Sequence, residues 1–139
     1  MVAAALLHPF SECIGIELLP ELYRLSLQVK AKYDSASQPT PISYLEGDIF
    51  ELDWFDASVI LVNSTCFYTD MIERISNSPV QPGCIAISLT RQLSSTSWDL
   101  LQSSKHKMSW GTSTLHIHRK ISPEEQARRT EEIGSWLGT

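Results

Sequence analysis

Three short polar stretches, each closing an apolar run, carry the residues that could do chemistry in this chain. Glu17 ends Cys13-Ile14-Gly15-Ile16, Asp48 follows Gly47 at the end of Ile42-Ser43-Tyr44-Leu45-Glu46, and Asn63-Ser64-Thr65 follows Ser58-Val59-Ile60-Leu61-Val62. If these runs are strands of an open parallel sheet, their carboxyl ends face the crevice where ligands bind. Their polar groups then converge on one ligand. A carboxylate placed there takes a ribose diol in two charge-assisted hydrogen bonds. Each acid also has a plainer reading, Glu17 as a helix cap or loop residue and Asp48 as part of an ordinary Gly-Asp turn. Both readings stay open for each residue taken singly, and three such ends in succession are harder to dismiss.

The elements that must position these groups follow from periodicity and punctuation. After Glu17, Pro20 fits a first helical turn and Glu21 suits its positive end. Leu18, Leu22, Leu25, Val29 and Tyr33 recur at helical spacing, with Lys30 and Lys32 near the negative end. Residues 1 to 8 are Ala- and Leu-rich and favour a helix that His8-Pro9 would stop. Ser35 to Pro41 reads as a loop and Ile42 to Glu46 as a short strand. Ser58 to Val62 is continuous and β-branched, the pattern of a strand buried on both faces. Thr69 suits the cap of a helix carrying Met71, Ile72 and Ile75 that stops near Asn77-Ser78-Pro79. Cys84 to Leu89 reads as another buried strand, and Ser94 to Leu101 as a short helix with Trp98 and Leu101 inward. Lys105 to Trp110 and Thr112 to Arg119, parted at Gly111, read as a hairpin. Ser122-Pro123-Glu124-Glu125 has capping-box spacing and opens a mostly polar helix to about Leu137. Strands and helices alternate and a hairpin follows, which indicates an α/β fold with a mixed sheet.

Composition bounds the function. The 139 residues, 42% hydrophobic and 19% charged, suit one globular domain with a real core. A net charge of −5 argues against an electrostatic grip on nucleic acid by this chain alone, because phosphate binding needs a basic face. Arg128-Arg129 and Arg119-Lys120 are the candidates for a local contact, and such pairs are most often a solvated face. Cys13, Cys66 and Cys84 lack CxxC spacing and read as reduced, partly buried thiols. The first seven residues lack a basic start and are too short for a secretory core or a membrane span. The expectation is a soluble intracellular protein, nuclear or cytoplasmic, without membrane contact. His116 and His118 share one face of a strand but have no third ligand at metal-binding spacing, so packed or surface histidines are expected. Cys66 has no partner histidine placed by sequence and reads as a buried thiol. No Gly-x-Ser-x-Gly elbow or P-loop is present.

The succession Ile14-Gly15-Ile16-Glu17, Leu45-Glu46-Gly47-Asp48, Val62-Asn63-Ser64-Thr65-Cys66-Phe67 and Met108-Ser109-Trp110-Gly111 resembles class I S-adenosylmethionine-dependent methyltransferases. It most resembles the branch of the telomeric-silencing-disruptor type histone lysine methyltransferases, over about residues 2 to 120. The resemblance implies a Rossmann-like sheet with a C-terminal antiparallel hairpin, in a partial methyltransferase domain at 1–120 followed by a C-terminal helix at 121–139. Family members begin with a strand and a Gly-rich turn before the Ala-rich helix found here at Val2, and that strand and turn are missing. In the family the strand lies between those ending in Glu17 and Asn63, so both are expected to lose a neighbour and expose backbone donors and acceptors.

The resemblance also assigns roles, with S-adenosyl-L-methionine as cofactor. Glu17 would bind the ribose hydroxyls and Asp48 the adenine amino group, with Ile49 or Phe50 on the adenine face. Asn63 would hold the methionine part of the cofactor or the incoming nucleophile. Phe67, Tyr68 and Trp110 would line the acceptor channel, where an apolar wall keeps a lysine amine neutral and positions it. Core packing is the alternative for those aromatics. The implied partner is a protein with a lysine acceptor, histone being the best-known acceptor of the family. Two rivals remain: a nicotinamide-dependent oxidoreductase, whose Gly-x-Gly-x-x-Gly turn is absent, and a catalytically inactive methyltransferase-like binding module.

Overall fold

The computed structural model describes residues 1–137. They form four helices and six strands in two compact units that divide between Asp53 and Trp54. The first holds α1 (Val2–Leu7), β1 (Cys13–Glu17), α2 (Pro20–Ser35) and β2 (Ile42–Glu46). The second holds β3 (Val59–Val62), one tight helical turn at Ser64–Cys66, α3 (Thr69–Ser76), β4 (Ile85–Leu89), β5 (Trp98–Met108), β6 (Gly111–Lys120) and α4 (Pro123–Leu137).

In the first unit β1 and β2 run parallel, with Cys13 opposite Ile42 and Glu17 opposite Glu46. Parallel neighbours need a crossover, which α2 supplies. Ala5, Cys13, Tyr33 and Ile42 form the core, with Met1, Val2, Phe10 and Tyr44 packed against it. Pro20 stands in the first turn of α2, as its fixed φ favours. The apolar stripe of α2 does not become its packed face. Of that stripe only Tyr33 is buried, while Leu22, Leu25 and Val29 are exposed. The half-buried positions are Tyr23, Ser26 and Lys30. Two strands offer too narrow a surface for the whole stripe, and the Tyr33 hydroxyl, donating to the Thr40 carbonyl at 2.8 Å, fixes which face turns inward.

In the second unit the sheet order is β3-β4-β6-β5. β3 and β4 are parallel, and the other two pairs are antiparallel. Among the described residues β1 pairs only with β2, and β3 only with β4, so each has one open edge. β3 departs from the double-sided burial its sequence indicated, since Val59 and Leu61 are 40% and 59% exposed. An apolar run of this kind cannot tell one covered face from two.

The expected helix at Ser94–Leu101 is a turn followed by a strand. Trp98 opens β5 opposite Lys120 and is 1% exposed, whereas Leu101 points out at 48%. A bulge between Leu100 and Gln102 breaks the alternation that would have marked a strand. Thr69 is the first residue of α3 and Tyr68 its cap, with no side-chain cap bond. Ser122 does cap α4, its Oγ accepting from Glu125 N at 3.2 Å. The Glu125 carboxylate turns to Arg128 and Arg129, so only half of the capping box forms.

The core of this unit is partly polar, and its groups are satisfied locally, as burial demands. Ser64 Oγ donates to Leu89 O at 2.6 Å, Ser78 Oγ to Ile75 O at 2.6 Å and Ser88 Oγ to Arg91 O at 2.6 Å. Lys120 is buried, and its Nζ donates to Ser76 O at 3.0 Å and Ser78 O at 3.2 Å. It thereby closes the C-terminal end of α3, where the helix dipole favours a cation. The Trp98 ring lies 5.1 Å from the same nitrogen. Burial lowers the pKa of Lys120, and burial raises that of the neighbouring Cys84 thiol against the pull of the lysine.

His116 and His118 are packed in the sheet, 5% and 1% exposed. His116 Nδ1 shares a hydrogen bond of 2.7 Å with Ser103 Oγ, and His118 Nε2 accepts from Leu93 N at 3.3 Å. His118 Nδ1 makes no well-formed hydrogen bond among the described residues, although the Ala86 backbone lies close enough to favour the protonated ring. Burial first, and then the charge of His116, hold the His118 pKa below the ordinary 6.5. The unfolded chain therefore takes up this proton before the folded one as pH falls. Stability is expected to be full above about pH 6.5 and to decline as pH drops through the window below it. His118→Gln, which keeps an acceptor for Leu93 N but does not titrate, should flatten that decline in urea titrations run at successive pH values. An unchanged slope would assign the acid sensitivity elsewhere.

Candidate functional site

The candidate residues fall into two groups, one in each unit. In the first, Glu17 and Asp48 stand just past the carboxyl ends of adjacent parallel strands, and the Gly47 N–H donates to the Glu17 carbonyl at 3.0 Å, extending the pairing beyond the last register pair. Gly47 has φ +155°, in the region that favours glycine, and the turn it makes presents Asp48. Each carboxylate also serves its own backbone. Glu17 Oε1 accepts from Leu19 N at 2.9 Å, and Asp48 Oδ1 accepts from Phe50 N at 2.8 Å. The capping reading is thus realised for both through one oxygen each, and among the described residues no hydrogen bond is seen to Glu17 Oε2 or Asp48 Oδ2. An anchored carboxylate is held in orientation and still able to accept from a ligand hydroxyl or amine. Ile49 and Phe50 are half-buried beside Asp48.

In the second unit Asn63 follows β3 and is exposed. The chain then makes its tight helical turn at Ser64–Cys66, held by the bond from Ser64 to the Leu89 carbonyl. Phe67 is half-buried, Tyr68 is 75% exposed, and Trp110 in the turn of the β5–β6 hairpin is 57% exposed. Core packing therefore does not account for Tyr68 or Trp110. Cys66, expected to be a buried thiol, is exposed, because it ends the turn on the solvent side.

Sequence reasoning missed a row of hydroxyls at the carboxyl ends of β3 and β4. Thr65 Oγ1 donates to Asn63 Oδ1 at 3.3 Å and lies 3.2 Å from Thr90 Oγ1, which lies 3.0 Å from Ser113 Oγ. No local signal marks Thr90 or Ser113, since only the pairing of β6 with β4 brings them together. The only trace in the sequence is that Thr90 directly follows a strand.

The basic pairs are engaged within the chain. Asp99 takes Arg129 at 2.8 Å and Arg119 at 3.2 Å, and these bonds, Arg129 first, lower its pKa. Arg128 pairs with Glu125 and Glu132 at 2.7 Å each. Lys105 and Lys107 on β5 are exposed instead. The charge is uneven: the first unit carries eight acids against three bases, the second eight of each. Among the described residues no helix is long and apolar enough to cross a membrane.

No family model matches the chain, and no curated protein is significantly similar in sequence. Solved structures are similar in fold. An RNA methyltransferase from Salinibacter ruber in complex with S-adenosyl-L-homocysteine aligns with a TM-score of 0.62 at 18% identity, over 86% of this chain and 71% of that one. A Haemophilus influenzae protein with a provisional methylase name gives 0.56 at 11% identity, over 81% and 74% of the two chains. An Escherichia coli protein with a provisional methyltransferase name gives 0.56 at 8%, over 81% and 64%. With strands, crossover helix and terminal hairpin in this order, the chain has a Rossmann-like α/β fold of the kind these methyltransferases carry.

Proposed function

We propose that this chain is an S-adenosyl-L-methionine-dependent methyltransferase that acts on a lysine side chain of a protein, in the manner of the telomeric-silencing-disruptor type enzymes. The observation that carries the cofactor is the pair Glu17 and Asp48, on adjacent parallel strand ends, each with one carboxylate oxygen fixed by a backbone N–H. Glu17 fits a ribose diol, Asp48 the adenine amino group, and Ile49 or Phe50 the adenine face. When bound, the cofactor supplies an electrophilic methyl group on a sulfonium. In this reading Asn63 takes the methionine portion or the incoming amine, and Phe67, Tyr68 and Trp110 offer aromatic surface to the neutral amine. A nuclear or cytoplasmic setting suits such an acceptor. The bound S-adenosyl-L-homocysteine of the Salinibacter ruber enzyme supports the cofactor.

A second acceptor class, RNA, is favoured by Lys105 and Lys107, which stand exposed on β5 in a stretch from Leu100 to His118 free of carboxylates. It is also the substrate that the Salinibacter ruber enzyme is named for.

Isothermal titration with S-adenosyl-L-homocysteine is the test. The chain is expected to bind, and Glu17→Gln, which cannot make the charge-assisted bonds, to bind about tenfold more weakly. A folded wild-type chain that does not bind would sink the reading and leave a methyltransferase-like binding module. Methyl transfer to histone or to RNA by the binding-competent chain separates the two acceptors.

A further inference from the structure

We propose that Thr90 is a positioning residue that sets the direction of the Asn63 side chain through Thr65. Asn63 is exposed at the end of a strand that has an open edge, a place where a side-chain amide would ordinarily sample several rotamers. Here the amide is tied inward. Its Oδ1 meets Thr65 Oγ1 at 3.3 Å, Thr65 meets Thr90 at 3.2 Å, and Thr90 meets Ser113 at 3.0 Å. Ser113 is 4% exposed in β6, so the row runs from solvent to a fixed point in the sheet.

Thr90 stands at the middle of that row and is the one member in an unfavourable backbone conformation. Its φ is +71°, in the left-handed region where a β-branched residue is a genuine outlier. The surroundings impose it: Thr90 N donates to Thr114 O at 2.7 Å, and Arg91 N donates to Leu89 O at 2.8 Å. In the turn that follows the neighbouring strand β3, Ser64 Oγ holds the Leu89 carbonyl at 2.6 Å. A glycine would occupy this corner without strain. What glycine cannot supply is Oγ1, the single group that bridges Thr65 to Ser113. Strain held by a built surround, spent on aiming a polar atom, is the pattern of a preorganised site. The benefit is that Asn63 pays less ordering entropy when it takes a ligand. This consequence for binding rests on the reading of Asn63 as a contact to the cofactor or the incoming amine.

The test compares Thr90→Gly, which relieves the strain and removes the hydroxyl, with Thr90→Ser, which keeps the hydroxyl. Ser113→Ala breaks the same row from its buried end and serves as a second variant should the glycine variant fold poorly. The first readout is the NMR order parameter of the Asn63 side-chain amide in the ligand-free chain, which involves no cofactor. Thr90→Gly and Ser113→Ala are expected to fall below about 0.6 while wild type and Thr90→Ser stay well above it. Thermal stability of Thr90→Gly should equal or exceed that of the wild type. The second readout is affinity for S-adenosyl-L-homocysteine, expected to weaken three- to tenfold, as an order of magnitude, in Thr90→Gly and to recover in Thr90→Ser. An Asn63 amide equally ordered in all four chains would overturn the proposal. Loss of order in the two broken rows, with no binding by any chain, would support the positioning role and sink the cofactor reading instead.

Discussion

Replacing Trp98 with alanine is expected to destabilise the second unit by about 3–5 kcal/mol. Trp98 is 1% exposed, among the largest fully buried side chains of the chain. Three interactions end with it. The ring leaves a cavity between the end of α3 and β6, a strand paired with both β4 and β5 that cannot collapse freely. Its Nε1 no longer donates to Ser76 O, a bond of 3.0 Å. The Lys120 ammonium, buried and 5.1 Å from the ring, loses the aromatic face that offsets its lost hydration. Trp136, 84% exposed on α4, is the control, and Trp136→Ala should fall within about 0.5 kcal/mol of the wild type. Urea unfolding of both variants checks the contrast. Equal costs would show that the Trp98 environment is not the packed junction described above.

Gly15→Val is expected to cost the first unit about 3 kcal/mol, the upper part of the usual range for an overpacked site. Gly15 lies opposite Tyr44 in the β1–β2 register. A Cβ there would stand 2.7 Å and 2.8 Å from Tyr44 Cδ1 and Cε1, and 3.1 Å from Met1 Cγ. The ring would have to swing, and it packs against the small core of Ala5, Cys13, Tyr33 and Ile42. Because β1 ends two residues later at Glu17, a displaced strand also moves the carboxylate. The check is a double-mutant cycle with Tyr44→Ala, in which the pair should cost clearly less than the sum of the singles because the second change removes the clash. Strict additivity would rule out steric conflict with that ring as the cause.

Much of the first unit was legible because its determinants are local. Cys13–Glu17, Pro20–Ser35 and Ile42–Glu46 are bounded by Pro20, by the polar loop before Ile42 and by Gly47, signals that lie within a few residues of the boundary they set. The two acids were legible for the same reason. What failed to show was decided by pairing at a distance. Trp98 to Leu101 reads as a helix until Lys120 and Arg119 lie across from it, and the bulge after Leu100 hides the strand period. The stripe on α2 marked a helix correctly, but the width of the sheet beneath it decided which face was buried. The exposure of Val59 and Leu61 depends on what else covers β3, which no five-residue window contains. Thr90 and Ser113 are ordinary hydroxyl residues in the sequence, and they become part of the site only through the bonds that join them.

Ser76 is where distant parts of the chain meet, and this bears on the order in which the second unit assembles. Its carbonyl accepts from Trp98, 22 residues on, and from Lys120, 44 residues on. The β5–β6 hairpin closes over the Ser109-Trp110 turn and needs no other strand to set its register, so it is the cheap early step. That closure brings Trp98 beside Lys120 and completes both donors before α3 arrives. Capturing the end of α3 then closes a long loop whose entropy cost falls due only once. The last turn of α3 is thus expected to lock late in folding, on a receptor that the hairpin builds first.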